Sequence, residues 1–304
     1  MMNSGGAEID KMLFCASCGI AGGDDVKLKD CSACKLVKYC GIECQKEHRP
    51  KHKKECKKRA AELRDELLFK QPESSHNGDC PICLVPLPLD EGETALTRCC
   101  CKVICFGCQY GHQKRELEEG LETKCPFCRS EYSSGEANIH LTNLTMRRAE
   151  ANDLVALHEI GKLSADEGNF DHALECFTKA VAIGNYVGAH YQLSKMYRFG
   201  HGVEKNEKKE VYHLEEAAIG GDAIARNNLG CIEERNGRLD RAVKHWIIAA
   251  NMGLDQSLEN VKMAYRKGLV SKGDLASALR AHKAAVDATK SPQREEAEAA
   301  RKRF

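Results

Sequence analysis

Of the chain's 18 cysteines, 16 lie before residue 129, and that crowding limits what the first half can fold into. They come mostly as pairs: Cys15/Cys18, Cys31/Cys34, Cys40/Cys44 and His52/Cys56, then Cys80/Cys83, the triplet Cys99–Cys101, Cys105/Cys108 and Cys125/Cys128. A two-residue spacer lets both thiolates of a pair reach one tetrahedral metal ion about 2.3 Å from each sulfur. Five pairs have that spacer; with Cys40/Cys44, His52/Cys56 and two of the triplet they call for about four zinc ions, and modules this short have few other sources of stability. A secreted disulfide scaffold is the alternative. The opening MMNSGGAEIDK lacks the charged-then-apolar pattern of a signal peptide. No apolar run approaches the roughly 18–20 residues that span a bilayer. The reading is therefore an intracellular chain, cytoplasmic and/or nuclear, with reduced thiols that bind zinc and no membrane partner.

Charge supports no general affinity for nucleic acid. The formal value is +1. Fifteen zinc-bound thiolates and four ions would move it to roughly −6. Aromatic residues make up 6% of the chain, little material for stacking bases. Residues 35–70 do carry twelve Lys/Arg against six Asp/Glu. The simplest role for those cations is to offset nearby thiolates and solvate a helix, and nucleic-acid binding through 46–59 is a minor alternative.

The segment YCGIECQKEHRPKHKKEC, together with the pairs before it, resembles a MYND-type zinc finger over residues 13–58. By that resemblance Cys15, Cys18, Cys40 and Cys44 hold one ion, and Cys31, Cys34, His52 and Cys56 the other. His48 also has plausible spacing, but the family places its ligand at the later histidine. MYND fingers bind proteins, often short proline-containing peptides. A helical connector and linker over 59–78, with an apolar stripe of Ala61, Leu63, Leu67 and Leu68, would follow.

CPIC, RCCCKVICFGC and CPFCR, within residues 79–133, resemble a RING-type zinc domain. The family's cross-brace implies one site from Cys80, Cys83, Cys105 and Cys108. The second takes Cys125, Cys128 and two of the triplet, with Cys99 and Cys100 matching a CCGK-type form and Cys101 in the glycine's place. RING-type ubiquitin ligases use no covalent catalytic residue; they dock a ubiquitin-conjugating enzyme and hold its charged ubiquitin in a reactive pose. The contact candidates by resemblance are Ile82, Pro126, Phe127 and Arg129. A tryptophan common between the last two pairs is missing.

Residues 149–290 repeat one theme. Gly161, Ser194 and Gly230 are equivalent, as are Gly184, Gly220 and Gly253, and a degraded fourth unit follows. Each unit reads helix, turn, helix, and such pairs must stack to bury their apolar faces. FGHGVEKNEKKE gives the array a resemblance to SEL-like repeats, relatives of the tetratricopeptide repeat. Phe177, Tyr197 and Trp246 are expected in the core, and His158, His190 and His213 on the surface or groove. Residues 1–12 are expected to be disordered, and 291–304 to be a charged, frayed tail.

The expected fold class is thus two small zinc-binding modules, a MYND finger and a RING-like cross-brace, followed by an all-α helical-repeat solenoid. The whole order, including KKRAAELRDELLFKQPE, resembles a multi-member class of diatom proteins. Two functions fit: a ubiquitin-protein ligase that selects substrates through the repeats and finger, or a non-enzymatic zinc scaffold linking protein partners such as adaptor peptides.

Overall fold

The computed structural model describes residues 14–131 and 136–302, with backbone alone over 136–141; the segment 1–12 expected to be disordered lies outside the described residues. The chain divides into two compact units, Met1–Lys70 and Gln71–Phe304.

In the first unit, strands β1 (Lys29–Asp30) and β2 (Lys38–Tyr39) pair antiparallel, Lys29 opposite Tyr39. Helix α1 (Ile42–Leu68) follows, running through Pro50 and past the expected boundary at residue 58. The buried cluster here is Cys15, Cys31, Cys34 and Tyr39, so thiols stand where aliphatic side chains would form a core. Ala61 and Leu67 are exposed, so the expected apolar stripe is not a continuous seam.

The second unit opens with the hairpin β3 (Thr94–Thr97) and β4 (Lys102–Cys105), Thr97 facing Lys102, and then helix α2 (Phe106–Glu118). The array comprises α3 (Glu136–Glu150), α4 (Leu154–Asp166), α5 (Phe170–Gly184), α6 (Val187–Phe199), α7 (Glu207–Ile219), α8 (Ala223–Arg235), α9 (Leu239–Asn251), α10 (Asp255–Arg266) and α11 (Lys272–Ala288). From α4 onwards, consecutive helices pack as hairpins that stack in sequence order. Asp153, Asn169, Asn206, Asp222 and Ser271 cap the starts of α4, α5, α7, α8 and α11, each side chain accepting from first-turn N–H groups. Glycine sets the closest approach between helices. A Cβ on Gly161 would fall 2.5 Å from the Phe177 ring, and one on Gly230 2.4 Å from Trp246 Nε1.

Three expectations change. The tail does not fray: α12 (Pro292–Arg301) packs on α2. The segment after Lys70 is tied to the array, since His76 N–H donates to Gly221 O (3.1 Å) and Gln71 Nε2 to Ile248 O (3.4 Å). The histidines are not superficial either. His158 and His190 are buried and His213 half-buried, whereas Tyr197 is half-buried and stacks on His213 instead of joining the core.

Candidate metal centres

Four short turns in the two cysteine modules share one geometry. The N–H groups of Gly19, Lys35, Leu84 and Arg129 donate to the carbonyls of Cys15, Cys31, Cys80 and Cys125 at 2.8–3.0 Å. Each turn then closes as the cysteine's own N–H donates to Ile20, Val37, Val85 or Ser130 O, at 2.7–3.0 Å. The fifth residue of each turn takes a left-handed backbone, with φ from 57° to 76°. Only Gly19 does so without a Cβ cost, so Lys35, Leu84 and Arg129 occupy strained positions fixed by the turn. Such a turn brings both sulfurs of a pair to one side with N–H groups facing them, as metal binding requires.

The turns assemble four clusters in which all donor atoms lie within 4.8 Å of one another: Cys15, Cys18, Cys40, Cys44; Cys31, Cys34, His52, Cys56; Cys80, Cys83, Cys105, Cys108; and Cys99, Cys100, Cys125, Cys128. In each module the first and third pairs interleave with the second and fourth. The Sγ–Sγ separations are 3.5 Å for Cys40–Cys44, 3.6 Å for Cys18–Cys40, 3.8 Å for both Cys31–Cys56 and Cys83–Cys105, and 3.9 Å for Cys100–Cys125. Tetrahedral zinc with bonds of about 2.3 Å places its sulfurs about 3.8 Å apart. The donor sets are suited to about four zinc ions.

Electrostatics point the same way. Burial resists ionisation of Cys15 and Cys31, but N–H groups turned to their sulfurs outweigh it and hold both thiols at about 6. Their neighbours go the other way: hydrogen bonding with Cys44 pushes Cys40, and burial together with the Cys31 and Cys34 thiols pushes Cys56, each to about 12. The second module repeats this, with N–H groups holding Cys80 at about 7 against burial, while burial and the Cys128 thiol push Cys100 to about 12. Crowded thiolates thus repel one another, and a divalent cation relieves that repulsion.

His52, not His48, enters a cluster: its Nε2 lies 3.1 Å from Cys34 Sγ, while His48 Nδ1 lies 3.1 Å from Tyr39 OH. Of the triplet, Cys99 and Cys100 join Cys125 and Cys128, and Cys101 turns away. Its φ of 51° is the left-handed conformation a glycine would suit. Its side chain is buried in the array's first apolar cluster with Ala149, Ala156 and Leu157. Thr145 Oγ1 donating to Arg98 O (3.1 Å) and the Lys162–Glu91 ion pair (2.9 Å) hold the same edge.

Residues 15–56 match the family model of the MYND finger. The chain therefore carries a MYND zinc finger, followed by a second cysteine module and helical repeats. Two solved structures are similar to part of this chain. A Sel1 repeat protein from Oxalobacter formigenes is 20% identical, with a TM-score of 0.41, over 60% of this chain and 72% of that one. A protective antigen of uropathogenic Escherichia coli strains, displaying an SLR fold, is 22% identical with a TM-score of 0.40, over 57% of this chain and 38% of that one. Among the described residues no helix is long and apolar enough to cross a membrane.

The remaining candidates sit at the rim of the second module. Ile82 is 43% exposed and Arg129 is exposed. Pro126 and Phe127 are half-buried, and Phe127 packs against both cysteine clusters with Lys102 Nζ 5.2 Å from its ring centre. Phe127 is therefore core first and surface second. Sequence reasoning passed over Leu84, which is 75% exposed two residues beyond Ile82. Its signal was an apolar residue at the left-handed fifth position of a cysteine turn.

Proposed function

We propose that this is a RING-type ubiquitin-protein ligase, in which the second cysteine module docks a ubiquitin-conjugating enzyme while the repeats and MYND finger select the substrate. The observation that carries the reading is an uncovered apolar pair, Ile82 and Leu84, on the loop of one cysteine turn. An exposed arginine, Arg129, follows the last cysteine of another turn in the same module. Two aliphatic side chains exposed on one short loop are the kind of surface that can mark a protein contact. In this reading Ile82 and Leu84 pack on the conjugating enzyme, and Pro126 widens the contact. Arg129 donates hydrogen bonds to the enzyme and to the ubiquitin it carries, restraining a flexible conjugate in a reactive pose. In this reading none of the sixteen clustered donors acts as a nucleophile; they hold the fold.

A second reading is a non-enzymatic zinc scaffold, favoured by Phe127, which packs against both cysteine clusters as a brace requires. The two readings separate in an autoubiquitination assay of zinc-loaded protein against a panel of conjugating enzymes. Ile82→Ala and Arg129→Asn are run beside the wild type, asparagine being chosen because it tolerates the left-handed backbone. Ligase activity predicts chains with the wild type and at least a tenfold loss in each variant. Full zinc loading with no chains from any conjugating enzyme would leave the scaffold.

A further inference from the structure

The cluster Cys80/Cys83/Cys105/Cys108 differs from the other three in being both all-sulfur and deeply enclosed. Three of its four cysteines are buried, whereas the other two all-cysteine clusters each expose a sulfur-bearing residue, Cys18 or Cys128. Four thiolates around one dication leave a surplus of two negative charges. Water can solvate that surplus at an exposed cluster, but an enclosed one needs a cation from the protein.

The cation present is Arg294, from the first turn of α12. Its Nη2 lies 3.6 Å from Cys83 Sγ. Both Nη atoms are also tied to backbone: Nη1 donates to Pro86 O (2.7 Å) and Thr289 O (2.6 Å), and Nη2 to Val85 O (3.1 Å). Beside it, Gln293 Oε1 is 3.6 Å from Cys108 Sγ. Two glycines on α2 admit the helix. A Cβ on Gly107 would meet Arg294 Cα at 2.9 Å, and one on Gly111 would meet Gln293 Nε2 at 2.3 Å. Lys114 and Glu296 pair at 2.6 Å further along.

We infer that α12 is the outer sphere of the Cys80/Cys83/Cys105/Cys108 centre and that Arg294 is its charge-balancing residue, so metal retention there depends on the docking of α12. The inference rests on reading that cluster as a zinc centre and is independent of ligase activity. Arg294 is a positioning residue: it touches no ion, and it also fixes the backbone of the loop that presents Ile82 and Leu84.

The test uses the full zinc-loaded chain, challenged with EDTA and pulsed with N-ethylmaleimide, with alkylation of each cysteine followed by mass spectrometry. Arg294→Gln is expected to speed labelling of Cys80, Cys83, Cys105 and Cys108 by about 10–100-fold, the usual cost of losing an outer-sphere partner. Labelling at Cys99, Cys100, Cys125 and Cys128 should stay unchanged. Arg294→Lys should recover part of the effect, since it keeps the charge and loses the fork. Gly111→Leu, which crowds α12 without altering a donor, should reproduce the selective loss. Unchanged rates in Arg294→Gln overturn the inference, as does acceleration by Gly111→Leu alone, which would make α12 a steric cover. A wild-type chain with no zinc at this cluster, read by metal content and immediate labelling, would remove the premise itself.

Discussion

The Nδ1 atoms of His190 and His213 lie 2.9 Å apart between α6 and α7. Asn185 Oδ1, 2.8 Å from His190 Nε2, accepts the proton on that nitrogen. His190 Nδ1 is then the acceptor, His213 Nδ1–H the donor, and both rings are neutral. Burial lowers His190 and pushes His213 down to about 4, with His190 and Lys209 adding to the latter. His213 stands seven residues before Gly220, as Phe177 stands before Gly184 and Trp246 before Gly253. The second repeat therefore carries a polar pair where its neighbours pack an aromatic ring onto glycine.

That pair makes the repeats sensitive to acid. A free histidine takes up its proton near pH 6.5, while folded His213 resists until about 4. The unfolded chain binds more protons across that window, so the stability present above pH 6.5 falls as pH drops towards 4. Thermal melts should show a midpoint declining by several degrees over that interval. The triple variant His190→Leu/Ser194→Gly/His213→Phe, which writes the first repeat's packing into the second, should melt higher and show a shallower slope, the remainder belonging to His245, which burial lowers to about 3. An unchanged slope would assign the acid sensitivity elsewhere.

Glycine substitutions in the helices should split by sign. Alanine normally gains about 1 kcal/mol over glycine inside a helix. At Gly230 the added methyl would sit 2.4 Å from Trp246 Nε1, and overpacking of that kind costs about 1–3 kcal/mol. Gly230→Ala should therefore lower the melting midpoint. Gly273→Ala, whose nearest neighbour would be Ser271 Oγ at 3.6 Å, should raise it or leave it unmoved. Equal behaviour of the two would remove the close-packing account.

The cysteine triplet can be resolved by counting metal. Cys101 faces the array's apolar cluster, away from the sulfurs of Cys125 and Cys128. Cys101→Ala should keep about four zinc ions per chain, whereas Cys100→Ser should lose about one. Atomic emission on purified protein decides it, and loss of an ion from Cys101→Ala would contradict the geometry.

Chelation should act unevenly along the chain. The finger's strands are two residues each and its buried cluster is mostly thiol, so little holds it without metal. Excess chelator should strip hydrogen-exchange protection from residues 14–56 while α8 and α9, packed around Trp246, keep theirs. Equal loss in both regions would mean the repeats also depend on zinc.

The ease of reading differed by kind of interaction. Half of each metal centre is local: a two-residue spacer and a turn bring the sulfurs of one pair together, so Cys31/Cys34 and Cys125/Cys128 are plain in the sequence, whereas the joining of pairs was legible only through the family resemblance. Helix repeats are also plain, because Gly161 and Gly230 recur at a period set by packing. His213 escaped because, although it stands in phase with Phe177 and Trp246 before the closing glycines, a histidine carries no apolar signal. The docking of α12 escaped for a different reason. PQREEAEAARKRF offers only small apolar residues, of which Ala297 is fully buried, and its other contacts are an arginine head, an amide and an ion pair beside two glycines on α2. A run so rich in charge reads as a solvated tail unless the spacing of its alanines is weighed.

The contact between Arg294 and Cys83 also orders events in time. Their 211-residue separation means the cysteine loop leaves the ribosome long before its partner helix does. At about 5–20 residues per second, the gap is on the order of 10–40 s. Through that interval the newborn chain must keep thiols paired with metal, or reduced, without the cation that later covers them. Chaperoning of the nascent segment, or a cell's free zinc level during synthesis, would then govern yield more than the stability of the finished fold.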